Sequence, residues 1–184
     1  VGYDFALVGL ALVVGLAVRA MLANWQLDAR LKWPNDVWID ERKLAGILIE
    51  TGNWGEATAS RYVVIGVGIN ITVPDAPDLS TPAAGLNELL STVDAPTALA
   101  RTAAPMVRAI QTFEAHGFAP FQKAFNTLDA LAGVDVGLSD GLQGIAQGVD
   151  ASGALLLHTP HGVQRVTSSE VSVRPRLEPK GLVA

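Results

Sequence analysis

The sequence predicts an α+β chain, in which helices and a mixed β-sheet are followed by a small β-barrel, and three observations carry that reading. A 14-residue apolar run, Phe5 to Val18, is uniform enough for a buried helix. Between Arg30 and Ile71 lie short β-branched runs punctuated by turn residues. From Gly133 onward the apolar pattern switches to period two, in short segments separated by Asp140-Gly141, Ser152-Gly153 and His161-Gly162. With 184 residues, 49% of them hydrophobic but only 6% aromatic, the core is built from Ala, Val, Leu and Ile, and intrinsic disorder is excluded.

In chain order, the first helix runs from Phe5 to about Trp25. Its apolar run stops at Arg19 after 14 residues, short of the roughly 20 a membrane span needs. The opening Val1-Gly2-Tyr3-Asp4 lacks the basic start of a secretory signal. A strand follows at Arg30 to Trp33, because Pro34 holds its predecessor extended. Val37 to Ile39 and Lys43 to Thr51 form two more strands around the polar turn Asp40-Glu41-Arg42. Leu44 to Ile49 is apolar throughout, as expected of a strand covered on both faces. Tyr62 to Ile71 alternates, with Val63, Ile65, Val67, Ile69 and Ile71 on a core face and Tyr62, Val64, Gly66, Gly68 and Asn70 opposite. Thr72 to Pro96, with four prolines, reads as one long loop. Leu99, Ala103, Met106, Ile110 and Phe113 recur at helical spacing up to the stop at Gly117, and Phe118 to Leu131 forms another short helix. The final unit contains strands Val134 to Leu138, Gln143 to Val149, Ala154 to His158, Val163 to Val166 and Val171 to Arg174. The expected domains are therefore 1–131, 132–178 and a tail, 179–184.

Composition excludes several chemistries. There is no cysteine, so disulfides, thiolate metal sites and cysteine nucleophiles are out. Thirteen basic against 18 acidic residues give a net charge of −5, which argues against a surface that tracks nucleic-acid phosphates. His116, His158 and His161 show no metal-ligand spacing and read as surface residues.

Three local features remain. Gly66 and Gly68 strip side chains from one strand face, either to admit a neighbour or to let a ligand approach the backbone, and Asn70 stands at the end of that strip. Lys43 enters an apolar strand and must keep its ammonium in solvent or meet an anion, while Gly46 leaves space beside it. Lys32, Asn35 and Asp36 surround a rigid turn, which is either a surface turn or a holder for an anion with a divalent cation.

Taken together and in order, Lys32-Trp33-Pro34-Asn35-Asp36, Arg42-Lys43-Leu44-Ala45-Gly46-Ile47-Leu48 and Gly66-Val67-Gly68-Ile69-Asn70 resemble the catalytic core of biotin protein ligases. The resemblance implies a core like that of class II aminoacyl-tRNA synthetases and biotin ligases, followed by an SH3-like barrel. It also implies a two-step reaction with biotin and ATP as substrates and Mg2+ as helper: formation of biotinyl-5′-AMP, then transfer of biotin to a lysine of a biotin carboxyl carrier protein. By the same resemblance Lys43 is the catalytic residue, contacting the biotin carboxylate and the α-phosphate. Lys32 adds charge at the phosphates, and Asn35 and Asp36 order the turn, with Asp36 placed to help hold magnesium. The backbone at Gly46, Ile47 and Leu48 meets the biotin ring, Gly68 and Asn70 face the nucleotide, and Glu170 and Arg174 reach toward it from the barrel. The Thr72 to Pro96 loop orders over the adenylate.

The family's glycine- and arginine-rich loop has no match here, so the expectation is an N-terminally truncated ligase with impaired activity. No helix-turn-helix is present, so DNA binding is not expected. The implied setting is the cytoplasm, with no membrane partner, and a homodimer is compatible with the resemblance. Two other readings stay open: a non-catalytic remnant serving as an interaction module, and a related lipoate or octanoate transferase.

Overall fold

The computed structural model describes residues 4–53, 61–75, 81–167 and 172–176, with side chains described from Gly9 onward. Helix α1 (Asp4–Asn24) is followed by an antiparallel sheet of β1 (Arg30–Lys32), β2 (Asp36–Ile39), β3 (Arg42–Asn53) and β4 (Arg61–Ile69), in the order β1-β2-β3-β4. Helices α2 (Ala95–His116) and α3 (Gln122–Leu128) come next. The second sheet contains β5 (Asp135–Leu138), β6 (Gln143–Val149), β7 (Leu155–Thr159), β8 (Gly162–Val166) and β9 (Val173–Pro175), all antiparallel in the order β8-β7-β6-β5-β9. An α+β architecture with a terminal all-β unit is thus what the periodicities require. Among the described residues no helix is long and apolar enough to cross a membrane.

Helix α1 is apolar on nearly every side because it is the centre of the molecule. Val13, Val14, Val18 and Leu22 are fully buried. A Cβ on Gly15 would meet Leu31 and Ile47 of the sheet at 3.4 and 3.7 Å. At Gly9 the helix touches the second sheet, where Gly153, at φ +90, brings its backbone to the helix so closely that a Cβ there would sit 3.0 Å from the Gly9 Cα. The indole of Trp33, fully buried, donates to the Gly153 carbonyl at 3.1 Å. One continuous apolar cluster therefore runs from α1 through the first sheet to Val136, Leu155 and Val173 of the second.

Several expectations change. Leu44 to Ile49 is not covered on both faces: Ala45 and Ile47 face α1 and are buried, but Leu48 is 58% exposed. The core face of β4 is only half-buried, and Val63 is exposed because it pairs with Thr51 far out on the β3–β4 hairpin. In α2 the inward stripe starts at Ala98 and Thr102 rather than at Leu99, which is 67% exposed. Pro96 opens this helix instead of blocking it, as suits a residue without an N–H, and Asp94 caps it by accepting from the Thr97 N–H at 2.9 Å. The last short helix stops at Leu128, where Asp129 turns extended.

Two consequences for stability arise here. The β2–β3 turn places Asp40 and Glu41 at φ 48 and 59, the left-handed conformations that a two-residue hairpin favours in glycine and asparagine. Glu41→Gly should stabilise the protein by about 1 kcal/mol in denaturant unfolding, since an L side chain is penalised there; a loss of stability would show that the Glu41 side chain contributes more than its backbone costs.

Asp129 lies at the junction of the two sheets. Its backbone bridges to Leu31, its Oδ1 accepts from the Leu131 N–H at 2.9 Å, and its Oδ2 is buried without a hydrogen-bond partner. Burial raises its pKa to about 6, against the opposing bond from Leu131. The native state therefore favours the neutral acid. Its stabilising contribution is complete below about pH 4 and disappears as pH rises through about 6, a change of about 3 kcal/mol. Asp129→Asn should keep the Leu131 bond and flatten the stability profile between those limits; an unchanged slope would assign it to other groups.

Candidate functional site

The strand register explains how distant residues meet. Lys32 pairs with Asp36, Asp36 with Gly46, and Gly46 with Gly68, so all four lie on one sheet face. Arg30, Trp38 and Lys43 form a second cross-strand row on the same face. Lys43 and Gly46, three apart, would normally point to opposite sides. A bulge brings them together: Val37 pairs with Ala45, but Trp38 pairs with Lys43, leaving Leu44 as the extra residue.

This face opens into a groove of about 490 Å³ lined by Asn35, Lys43, Gly46, Ile47, Leu48, Gly66, Val67 and Gly68. The missing side chains at Gly46, Gly66 and Gly68 make it accessible down to the backbone. The Lys43 ammonium folds over Gly46, where a Cβ would approach its Cε and Nζ at 3.2 Å.

Asp36 holds the cations. Its Oδ1 lies 2.6 Å from Lys43 Nζ, as a charge contact and not an aligned hydrogen bond, and its Oδ2 lies 3.7 Å from Lys32 Nζ. Lys32 is only 7% exposed, so the surface-turn reading of this segment fails. Burial lowers its pKa; Asp36 opposes that shift, while the nearby charges of Lys43 and Arg174 add to it. Arg174, exposed on β9, thus acts electrostatically on the site from the second sheet. Two lysines around one carboxylate, with the charge of Arg174 felt at Lys32, leave a local excess of positive charge in an acidic protein, which suits an anion.

The remaining predicted residues are structural clamps as well as site members. Asn35 donates from Nδ2 to the Ile47 carbonyl at 2.7 Å, and its own carbonyl accepts from the Ile47 N–H at 2.9 Å, fixing the turn to the groove floor. Asn70 turns its amide to the backbone, donating to the Lys43 and Ala84 carbonyls at 3.2 and 3.1 Å. Residues 82–84 complete the clamp: the Lys43 N–H donates to the Pro82 carbonyl at 2.8 Å, and the Ala84 N–H donates to the Lys43 carbonyl at 2.9 Å. Residues 81–94 keep the irregular path expected of a loop, apart from a short 3-10 turn at Leu86–Glu88, yet they are anchored: Ala84 and Leu86 are fully buried and Arg42 pairs with Glu88 at 3.0 Å. Within this segment, residues 82–88 are a fastened support for Lys43. Glu170 falls outside the described residues. His116, His158 and His161 are exposed, as expected.

For magnesium, the observed donors are a poor fit. Asp36 is already shared by two ammonium groups, and no cluster of three metal-capable side chains occurs among the described residues. Trp38 is the site residue that sequence reading missed; its place two residues after Asp36 in a strand was the available signal.

Known proteins resemble this chain in sequence and in fold. The Biotin/lipoate A/B protein ligase family matches residues 5–70, and the Biotin protein ligase C terminal domain matches residues 134–174. The chain is 34% identical over 181 residues to the bifunctional ligase/repressor BirA of Escherichia coli, covering 92% of this chain and 54% of that protein. It is 34% identical over 149 residues to the biotin--[acetyl-CoA-carboxylase] ligase of Paracoccus denitrificans, covering 77% and 61%. The chain thus spans between half and two thirds of these relatives' length. Among solved structures, the biotin protein ligase of Aquifex aeolicus in complex with biotin and ATP superposes with a TM-score of 0.79 at 26% identity, over 92% of this chain and 72% of that one. The motif residues thus assemble on one face, and along the chain a domain of the Biotin/lipoate A/B protein ligase family is followed by a biotin protein ligase C-terminal domain.

Proposed function

We propose that this protein activates biotin with ATP and transfers it to a lysine of a biotin carboxyl carrier protein. The observation that carries the reading is the convergence of Lys43 and Lys32 on Asp36 beside a glycine-walled groove. A carboxylate oxygen of biotin attacks the α-phosphorus of ATP and pyrophosphate leaves. The carrier's amine then attacks the acyl carbon of biotinyl-5′-AMP, and AMP leaves with the bonding pair.

Both steps concentrate negative charge near the α-phosphate, and preorganised cations stabilise that charge most where water is excluded. Lys43 faces the reacting oxygens, with its backbone held on both sides by residues 82–84 and Asn70. Lys32 and Arg174 contribute longer-range charge at the phosphates. Gly46, Ile47 and Leu48 offer backbone groups to the biotin ring, and Gly68 gives the nucleotide room. Glu170 is the further nucleotide contact proposed from the second unit, and Asp36 holds the two lysines in place.

The match of residues 134–174 to a biotin ligase C-terminal domain favours biotin over lipoate or octanoate. It also supports functional units of 1–131 and 132–178. The expected setting is the cytoplasm, where ATP and carboxylase subunits are found. Incubation with biotin, ATP and a carrier domain should yield biotinylated carrier, detected by mass. Transfer of lipoate or octanoate in preference to biotin would overturn the reading, as would no biotinyl-AMP under any condition.

A further inference from the structure

Trp38 lies on the site face with no part in the reaction as so far described. It is 9% exposed, pairs directly with Lys43 across the β2–β3 ladder, and has the Lys32 ammonium over its ring at 5.3 Å from the centroid. Its indole N–H is buried with no hydrogen-bond partner among the described residues. That contrasts with Trp33, whose N–H is bonded to Gly153. Leaving an indole N–H unpaired in the interior is unfavourable, and a phenyl or aliphatic group would fill the space without that penalty. What the indole supplies, and an aliphatic residue cannot, is the electron-rich face that attracts a cation.

The need for such a face is visible in the charges. Lys32 is buried, and its one close carboxylate among the described residues, Asp36, sits 3.7 Å away while holding Lys43 at 2.6 Å. One carboxylate shared by two ammonium groups leaves the more buried one under-compensated. The lowered pKa of Lys32 agrees with that deficit. A ring beneath the ammonium supplies attraction without adding negative charge, so the site keeps its attraction for an incoming phosphate. A second carboxylate in that place would compensate Lys32 equally well and repel the nucleotide.

We infer that Trp38 is a positioning residue for ATP binding, holding the Lys32 ammonium by its π face so that Lys32 stays charged and directed at the phosphate side of the sheet. This rests on the ligase reading above, and the test separates the two. In the wild-type chain the Lys32 ε-methylene resonances should carry an upfield ring-current shift, reduced in Trp38→Phe and lost in Trp38→Leu. Calorimetric titration with ATP should show affinity falling on the order of tenfold in Trp38→Leu, and less in Trp38→Phe. In a Lys32→Met background, Trp38→Leu should cost no further affinity.

Equal losses in the phenylalanine and leucine variants would overturn the inference, since packing and not the ring face would then be responsible. Losses that add fully to those of Lys32→Met would overturn it too. If the leucine variant does not fold, site-specific replacement of Trp38 by a polyfluorinated tryptophan, which keeps the shape and depletes the face, should weaken ATP binding in the same way; unchanged affinity would refute the role. A wild-type chain that shows the Lys32 ring shift yet binds no ATP overturns the ligase reading while retaining the Trp38–Lys32 seat.

Discussion

Lys43→Ala is expected to reduce biotin-dependent ATP–pyrophosphate exchange by on the order of 10²- to 10³-fold, the loss typical of removing one preorganised group that stabilises transition-state charge. The geometry makes this effect separable from folding. Lys43 Nζ reaches into the open groove, and its side chain is 41% exposed. Its backbone bonds to Pro82, Ala84 and Asn70 do not involve the side chain at all. Alanine should therefore leave the unfolding midpoint nearly unchanged while chemistry is lost. Asp36, freed from its nearer partner, would remain paired with Lys32 at 3.7 Å. Wild-type exchange rates in the alanine variant would remove Lys43 from the reaction, and a large fall in thermal stability would mean that its role is structural.

Asp36→Ala should show the opposite balance. Asp36 and Lys32 side chains are 11% and 8% exposed, so removing the carboxylate strands a buried ammonium. Breaking a buried pair from one side costs about 3 kcal/mol or more. For a chain of this size that corresponds to a fall of roughly 6–12 °C in Tm. Activity should fall as well, because Lys43 loses the oxygen that holds it at 2.6 Å. The diagnostic comparison is the double variant Lys32→Met with Asp36→Ala, in which the stranded charge is gone and much of the lost stability should return. A Tm within 1–2 °C of wild type for Asp36→Ala alone, well short of the fall expected for a buried pair, would mean that Lys32 finds compensation elsewhere on the face.

The sequence carried the motifs in a form that periodicity alone undervalued. Lys32 taken by itself reads as the edge of a surface turn, and Lys43 as a snorkelling side chain. The pairing of Asp36 with both depends on two strand registers and one bulge, none of which is encoded within a single segment. The glycine-stripped face of β4 was legible because alternation is a local property. Its half-buried opposite face was not, since burial depends on how far α1 reaches along the hairpin. The anchorage of residues 81–94 was hidden for a related reason: Pro82 and the turn residues around it signal an irregular path locally, but the bonds that fasten it come from Lys43, Asn70 and Arg42, which are distant in sequence.

The sequence by itself determined the element types, the switch to an all-β unit after Gly133, and the cations, amides and glycines available for chemistry, because each follows from nearest-neighbour sterics or periodicity. Only the tertiary structure decided which of those groups face one another. A slip of one residue in a strand reverses every side chain, so the bulge at Leu44 determines that Lys43 joins Gly46, Trp38 and Asp36 on one face. Charge compensation then follows from distances of a few ångströms, which depend on packing around α1 and which composition does not contain.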